Sequence, residues 1–426
     1  MLKQLRVQNF RLLRDVTIDL TGHLAVFIGP NSSGKSTVLE VIDFLGRCAS
    51  EGLQAAFAAH GGFESVRTIG VREPIRIATQ WSFVMAGDDS NPPGRWRLEW
   101  DIELDRAPNG AVLVRKESLL DHSHEPPRPL VETTPEGLRV VRPELGSNAD
   151  TSAVKDPTRL AFEEVRDSDR FPGLSGLDVV VSDARVLGSL TAPPLWARPS
   201  VAGPSARDSL VLGPAPHLGR QGAGLANALY NLSIDHGSVW SDLERAFRAE
   251  FPFVRRIVFP PDAAGGRINF AVEDERFPER KIFASEMSDG MVAYLILLVA
   301  ILQPEQIAVL GLDEPDATIH PTALRRLLDL AQRSSGRRYL MIVTHSNALL
   351  DGLHEPAKQV RIVENGPGGA VIKTLAPEAL AAWREEYSLS DLRRMGLVDR
   401  PNAPPMLSEP ANELHLPKKK RRAAKH

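Results

Sequence analysis

The chain has 426 residues, 42% of them hydrophobic and 25% charged, the balance of an ordinary soluble globular protein with room for two or three domains' worth of buried core. Basic and acidic residues nearly cancel, 51 against 54, but removing the six basic residues of the C-terminal tail (Lys418, Lys419, Lys420, Arg421, Arg422 and Lys425) leaves 45 against 54, a net of −9, so the charge balance does not indicate a strong net attraction of the whole surface to nucleic acid and leaves a local basic groove open. The single cysteine, Cys48, excludes an internal disulfide and a Cys-based zinc site and fits a reducing compartment.

The first six residues alternate polar and apolar, without the apolar block of a secretory signal, so a cytoplasmic protein is expected. Leu5–Phe10 and Val16–Leu20 alternate as half-buried strands, whereas Leu24–Ile28 is continuously apolar, the pattern of a strand covered on both faces. A Gly-rich loop follows, and a helix begins at Ser36. Further strands are predicted over Ile75–Phe83, Trp96–Leu104 and Ala111–Arg115, the last two joined by a turn containing Asn109-Gly110 that suits an antiparallel hairpin. From 122 to 216, Pro and Gly punctuate the chain and leave loops plus one apolar strand, Leu177–Val181.

Leu225–Leu232 and Val239–Phe251 read as two amphipathic helices without sustained heptads, which excludes long coiled-coil arms. Met291–Leu302 is uncharged but short of the roughly 20 residues that span a bilayer, so it reads as a buried core helix and no membrane partner is expected. A strand (Ile307–Leu312), a helix (Pro321–Ser334) and a second strand (Tyr339–Val343) then alternate as in a parallel sheet with helical crossovers. Residues 401–426 are Pro-rich, then polar, then basic. They are expected to be disordered, with a basic run that either touches phosphates or has no role.

The loop Gly29-Pro30-Asn31-Ser32-Ser33-Gly34-Lys35-Ser36 satisfies G-x-x-x-x-G-K-[ST] between a buried strand and a helix. Its glycines turn backbone N–H groups toward a phosphate, the helix N-terminus adds its positive dipole end, and Lys35 reaches the β- and γ-phosphates. Ser36 is the expected Mg²⁺ ligand, and Thr37 backs it near the α-phosphate. The apolar strand ending in Asp313-Glu314 supplies two carboxylates, Asp313 to hold Mg²⁺ through water and Glu314 as the base that polarises the attacking water. His345 ends the next strand, in Val343-Thr344-His345-Ser346, where a γ-phosphate sensor belongs; a lone strand-end histidine is otherwise a surface or core residue. Ser288 and Gly290, in Ser285-Glu286-Met287-Ser288-Asp289-Gly290, open the Met291–Leu302 helix. This turn is either a plain N-cap or a second anion site, redundant within one chain and hence serving another subunit.

These four elements, in this order, resemble the ABC-type ATPases. Asn9-Phe10-Arg11, Asp313-Glu314-Pro315 through His320-Pro321, and Leu389-Ser390-Asp391-Leu392 narrow the likeness to AAA-annotated, OLD-like and RecF/SMC-like prokaryotic ATPases. The resemblance implies an α/β P-loop NTPase fold: an ABC-ATPase-like mixed sheet with helices on both faces, an antiparallel β part and a small helical insertion. It implies one domain over 1–400, assembled from 1–120 and 255–400 around an inserted region, 121–254. It also implies ATP and Mg²⁺ as cofactors, Gln80 as a residue that feels Mg²⁺ and the attacking water, and an ATP-sandwiched homodimer in which Ser288 and Gly290 close over the partner's nucleotide. Asp289, Met291 and His320 stand where transporter ATPases carry other residues, which argues against a transporter. OLD nucleases carry a Toprim domain, for which the residues after Ser346 lack the acidic cluster, so any nuclease would be a separate chain. The expected function is an ATPase that controls a nucleic-acid-processing or defence effector; the alternative is a slow-turnover, DNA-binding clamp of RecF/SMC type in DNA repair.

Overall fold

Two sheets share the apolar residues at the start of the chain. The structure, a computed structural model, describes residues 1–85, 94–144, 151–188, 205–211, 218–219, 222–260, 267–303, 308–333, 338–384 and 386–398, so the expectation of a disordered tail over 401–426 lies outside the described residues. The chain begins β1 (Leu2–Phe10), β2 (Leu13–Asp19), β3 (Leu24–Ile28), α1 (Lys35–Ser50), α2 (Leu53–Ala59) and α3 (Phe63–Val66). There follow β4 (Ile75–Met85), β5 (Gly94–Arg106), β6 (Val112–Asp121), β7 (Arg128–Thr133), β8 (Arg139–Val141) and β9 (Ser152–Val154). Apart from β3, these strands form one eight-stranded sheet in the order β2-β1-β4-β5-β6-β7-β8-β9, every neighbouring pair antiparallel.

The rest of the chain contributes α4 (Ala161–Glu164), α5 (Pro172–Ser182), β10 (Ala184–Leu187), β11 (Leu210–Val211), α6 (Leu225–Asp235), α7 (Gly237–Glu250), β12 (Val254–Val258), β13 (Arg267–Ile268), β14 (Ala271–Asp274) and β15 (Lys281–Phe283). After these come α8 (Asp289–Leu302), β16 (Val309–Asp313), α9 (Pro321–Arg333), β17 (Tyr339–Val343), α10 (Asn347–Asp351), α11 (Pro356–Gln359), β18 (Val360–Gly366), β19 (Gly369–Thr374), α12 (Pro377–Arg384) and α13 (Leu389–Arg394). The second sheet has the order β10-β16-β17-β3-β18-β19, parallel except at the β18–β19 hairpin. The N-terminal strand β3 thus sits at its centre, between two C-terminal strands.

The fully apolar reading of β3 has a direct cause, because the sheet is covered on both faces and successive side chains alternate between them. Leu24, Val26 and Ile28 enter a core built around α8, α6, α7 and α9, whereas Ala25 and Phe27 enter a second core shared with α1 and the antiparallel sheet. Strand β17 divides in the same way, with Leu340 and Ile342 on one side and Tyr339, Met341 and Val343 on the other. Helix α8 is buried along nearly its whole circumference, which its uniformly apolar sequence requires.

The stretch 121–254 departs from its reading as loops and helices, because β7, β8 and β9 extend the antiparallel sheet and β10 forms an edge of the parallel one. The predicted strand Leu177–Val181 is instead the second half of α5. Two glycines let that helix press onto the sheet: a Cβ on Gly176 would meet the Met85 sulfur at 2.6 Å and one on Gly173 would meet the Trp96 ring at 2.9 Å.

Candidate functional site

The phosphate-loop sequence leaves β3 at its C-terminal end and curls into α1. Gly29 has φ +148° and a Cβ there would stand 2.0 Å from the Val363 carbonyl oxygen, while Gly34 caps α1 at φ +100° in the left-handed region, so neither position accepts a side chain without strain. The Lys35 side chain is buried, and its Nζ donates to the carbonyls of Gly29 (3.1 Å) and Pro30 (2.7 Å). Ser33 Oγ is buried without a hydrogen-bond partner, an orphaned hydroxyl within the loop. Asn31 to Thr37, Leu12 and Glu314 line a cavity of about 260 Å³ at this loop.

β16 lies next but one to β3, and its last residue brings the first carboxylate to the loop: Ser36 Oγ donates to Asp313 Oδ1 at 3.0 Å. Burial pushes the Asp313 carboxyl up, and the Glu314 charge adds to this, against the Ser36 hydrogen bond and the Lys35 charge that favour ionisation. Glu314 follows in the left-handed region (φ +47°), with its N–H donating to the Val343 carbonyl at 2.9 Å and its side chain half exposed at the cavity rim. His345 Nε2 stands 3.7 Å from Glu314 Oε1, beyond hydrogen-bond reach, and is buried without a hydrogen-bond partner. Burial, then the nearby Lys35 charge, holds the His345 imidazole below the usual histidine value, favouring its neutral form.

These groups fit a magnesium nucleotide. A glycine-lined loop with an unpartnered hydroxyl, a buried ammonium resting on its own loop carbonyls, and a hydroxyl and a carboxylate already side by side are the donor set that a polyphosphate with a hard cation takes.

Ser288 and Gly290 lie elsewhere. Ser288 is exposed and is the N-cap of α8, its Oγ accepting from the Met291 N–H at 3.3 Å; Gly290 lies beside the Thr318 carbonyl, and neither residue lines the phosphate-loop cavity of its own chain. Gln80 requires a correction. It is exposed, bonds Glu99 at 3.3 Å, and pairs with Gln4, six residues from Phe10 and so roughly 20 Å along β1 from the end that meets the phosphate loop. Strand periodicity places a side chain on a face but not at an end of a sheet, and the end decides here.

Further residues border the site. Among the described residues, four non-glycine positions have positive φ: Asn9 near the end of β1, Arg11 in the turn to β2, and Ser32 and Glu314 on the cavity rim. Arg11 pairs with Glu40 at 2.9 Å, one helical turn beyond Ser36; burial pushes the Glu40 carboxyl up and the Asp313 charge reinforces the shift, while Arg11 opposes it. Arg393 on α13 donates to the His345 carbonyl (3.0 Å) and to Asn347 Oδ1 (3.3 Å), and Ser390 of the same helix bonds Asp351 through both its N–H (2.9 Å) and its hydroxyl (2.7 Å).

Residues 1–94 match the family model of an AAA ATPase domain, and residues 208–351 match an AAA domain model whose description refers to AbiEii toxins and type IV toxin–antitoxin systems. A 45-residue segment is 49% identical to an OLD nuclease of Thermus scotoductus, covering 11% of this chain and 8% of that protein. The crystal structure of an SMC head bound to the C-terminal winged-helix domain of ScpA overlays with a TM-score of 0.50 at 12% identity, covering 89% of this chain and 99% of the other. Two separate stretches of the chain are thus similar to AAA ATPase domains, and the fold is that of an SMC head. Similarity to AAA ATPase domains over these stretches implies nucleotide binding. The chain spans less than a tenth of the length of the OLD nuclease it matches, and the SMC head likeness is one of fold. No described helix is long and apolar enough to cross a membrane.

Proposed function

We propose that the chain binds ATP with Mg²⁺, hydrolyses it, and closes into an ATP-sandwiched homodimer that controls a nucleic-acid-processing or defence effector carried by another chain. The observation that carries this reading is the gathering of Lys35, Ser36, Asp313, Glu314 and His345 at the C-terminal ends of β3, β16 and β17, while Ser288 and Gly290 stay outside that cavity at an exposed helix N-terminus. In this reading Gly29 to Thr37 cradle the phosphates, and Ser36 with Asp313 holds the metal. When bound, the metal nucleotide supplies the phosphorus centre and neutralises part of its charge. Glu314 Oε1 accepts the proton of the attacking water, and neutral His345, with Nε2 unpartnered, presents a polar atom beside it. Ser288 and Gly290 offer backbone and hydroxyl groups to the nucleotide of a second copy.

Residues 1–400 act in this reading as one domain, since β3 is paired on both sides by C-terminal strands. The buried Cys48 suits a reducing cytoplasm. The toxin–antitoxin description of the second family model favours a defence role. A slow DNA clamp is the second reading, favoured by the SMC head fold; salt-sensitive stimulation of turnover by DNA decides for it.

The test is Glu314→Gln, which keeps the metal and phosphate contacts and removes the base. Its mass by light scattering is expected to double with ATP and Mg²⁺, and Ser288→Arg in the same background is expected to restore the monomer while ATP still binds. A Glu314→Gln protein that stays monomeric, or a double variant that still dimerises, removes the trans site.

A further inference from the structure

The ends of β16 and β17 carry Glu314, on the cavity rim, and His345, whose Nε2 stands 3.7 Å from it, and neither is held by its own side chain. Glu314 is half exposed, and His345 Nε2 has no hydrogen-bond partner. What fixes their separation has to act on the two turns that bear them.

Among the described residues, a side-chain hydrogen bond joins those turns. Thr344 Oγ1 donates to Asp316 Oδ1 at 2.6 Å, within the short range of a hydroxyl on a carboxylate, and the same Thr344 oxygen accepts the Ser346 N–H at 2.9 Å. Thr344 is fully buried, and Asp316 lies in the 3-10 turn Pro315–Ala317 that directly follows Glu314. The residues on either side of His345 are therefore tied, through one hydroxyl, to a carboxylate two positions from Glu314. Two further bonds complete the frame: the Glu314 N–H donates to the Val343 carbonyl at 2.9 Å, and Thr344 N–H donates to the Phe27 carbonyl of β3 at 3.2 Å. Asp316 lines no part of the phosphate-loop cavity, and its carboxylate is already engaged by Thr344.

We infer that Asp316 and Thr344 are positioning residues for hydrolysis, a latch between the two strand ends that holds His345 against Glu314. The inference rests on the hydrolytic reading above. Both groups are already at hydrogen-bond distance, so the latch is set before nucleotide arrives and its loss is felt in turnover. Nucleotide affinity is set by the phosphate loop and is left alone.

The experiment is steady-state ATP turnover of Thr344→Val, Thr344→Ser, Asp316→Ala and Asp316→Asn, with the affinity for a non-hydrolysable ATP analogue and the melting temperature measured on each. Thr344→Val and Asp316→Ala are expected to lose about tenfold or more in kcat, the scale on which small misplacement acts, with analogue affinity within about twofold of the parent. Thr344→Ser and Asp316→Asn, which keep a hydroxyl donor and an oxygen acceptor, are expected to recover most of kcat. A parent-like kcat in Thr344→Val overturns the latch, and so does a loss of analogue affinity that matches the loss of turnover. Failure of Asp316→Asn and Thr344→Ser to recover turnover also overturns it. A wild-type protein that binds the analogue but does not hydrolyse ATP removes the hydrolytic reading instead, and that outcome is read on the parent alone.

Discussion

Ser36 Oγ donates to Asp313 Oδ1 at 3.0 Å across 277 positions of sequence. The bond joins the first turn of α1 to the end of β16, so folding alone brings a hydroxyl and a carboxylate to one point, and burial there disfavours the ionised carboxyl. A divalent cation relieves that cost by supplying positive charge. Asp313→Asn is therefore expected to reduce nucleotide affinity in Mg²⁺ by about tenfold or more while leaving affinity in excess chelator nearly unchanged. Titration of a fluorescent nucleotide under both conditions reads the difference, and equal losses under both would remove Asp313 from the metal site.

Lys35 Nζ rests on the Gly29 and Pro30 carbonyls, a cation held in place by the loop it serves. Lys35→Ala removes the fixed positive charge beside three or four negative ones, and ATP binding or turnover is expected to be abolished. Wild-type turnover in that variant would overturn the site assignment. The variant should still fold, because the loop geometry is set by Gly29, Gly34 and the ends of β3 and α1.

The phosphate loop, the paired carboxylates and the strand-helix alternation of the C-terminal part were legible because each rests on a local pattern: a glycine spacing, two acids at a strand end, an apolar run. Residues whose roles depend on side chains meeting across the fold were not. Gln80 sits in a well-predicted strand, yet pairing with Gln4 puts it at the far end of the sheet. Asp316 and Arg393 are ordinary charged residues until the ends of β16 and β17 and helix α13 are set side by side. In α5, the β-branched run Val179-Val180-Val181 reads as a strand by propensity. Pro172 at its first turn is a helix-start signal, and packing of Gly173 and Gly176 against β4 and β5 settles the matter.

The start of α5 is also held by Glu144, whose Oε2 accepts the Gly173 N–H at 2.5 Å. Burial pushes the Glu144 carboxyl up from its ordinary 4.5 to about 7, although the Gly173 and Leu174 N–H groups and Arg128 favour the charged form. The folded state therefore binds this proton more tightly than the unfolded state. Its stabilising effect is fully present below pH 4.5 and is lost as pH rises through about 7. Glu144→Gln, neutral throughout, is expected to flatten the decline in stability between pH 5 and pH 8 by on the order of 2 kcal/mol. Thermal melts of both proteins at the two pH values check this, and parallel declines would show that Glu144 does not titrate in that window.

Arg207 closes around the turn that leads into α8. Its guanidinium is almost wholly buried and donates to the Met287 carbonyl at 2.8 Å, to the Ala284 carbonyl, and to Asp289 Oδ1 at 2.5 Å. Asp289 is half exposed, so water can take over the carboxylate if Arg207 is lost, but the two carbonyls lie against the buried turn and cannot be resolvated as readily. Arg207→Ala is thus expected to cost about 2–3 kcal/mol of stability, and Asp289→Asn distinctly less, with denaturant melts as the measure. The charge adds a second consequence. Asp289 stands between Ser288 and Gly290, so in the proposed dimer loss of Arg207 would set an uncompensated carboxylate against the phosphates of the second copy's nucleotide. In the Glu314→Gln background, Arg207→Ala should therefore weaken the ATP-dependent dimer beyond any loss of fold, and adding Asp289→Asn should win part of it back. A dimer whose concentration dependence is untouched by Arg207→Ala, in a protein shown to be folded, would confine Arg207 to bracing the turn.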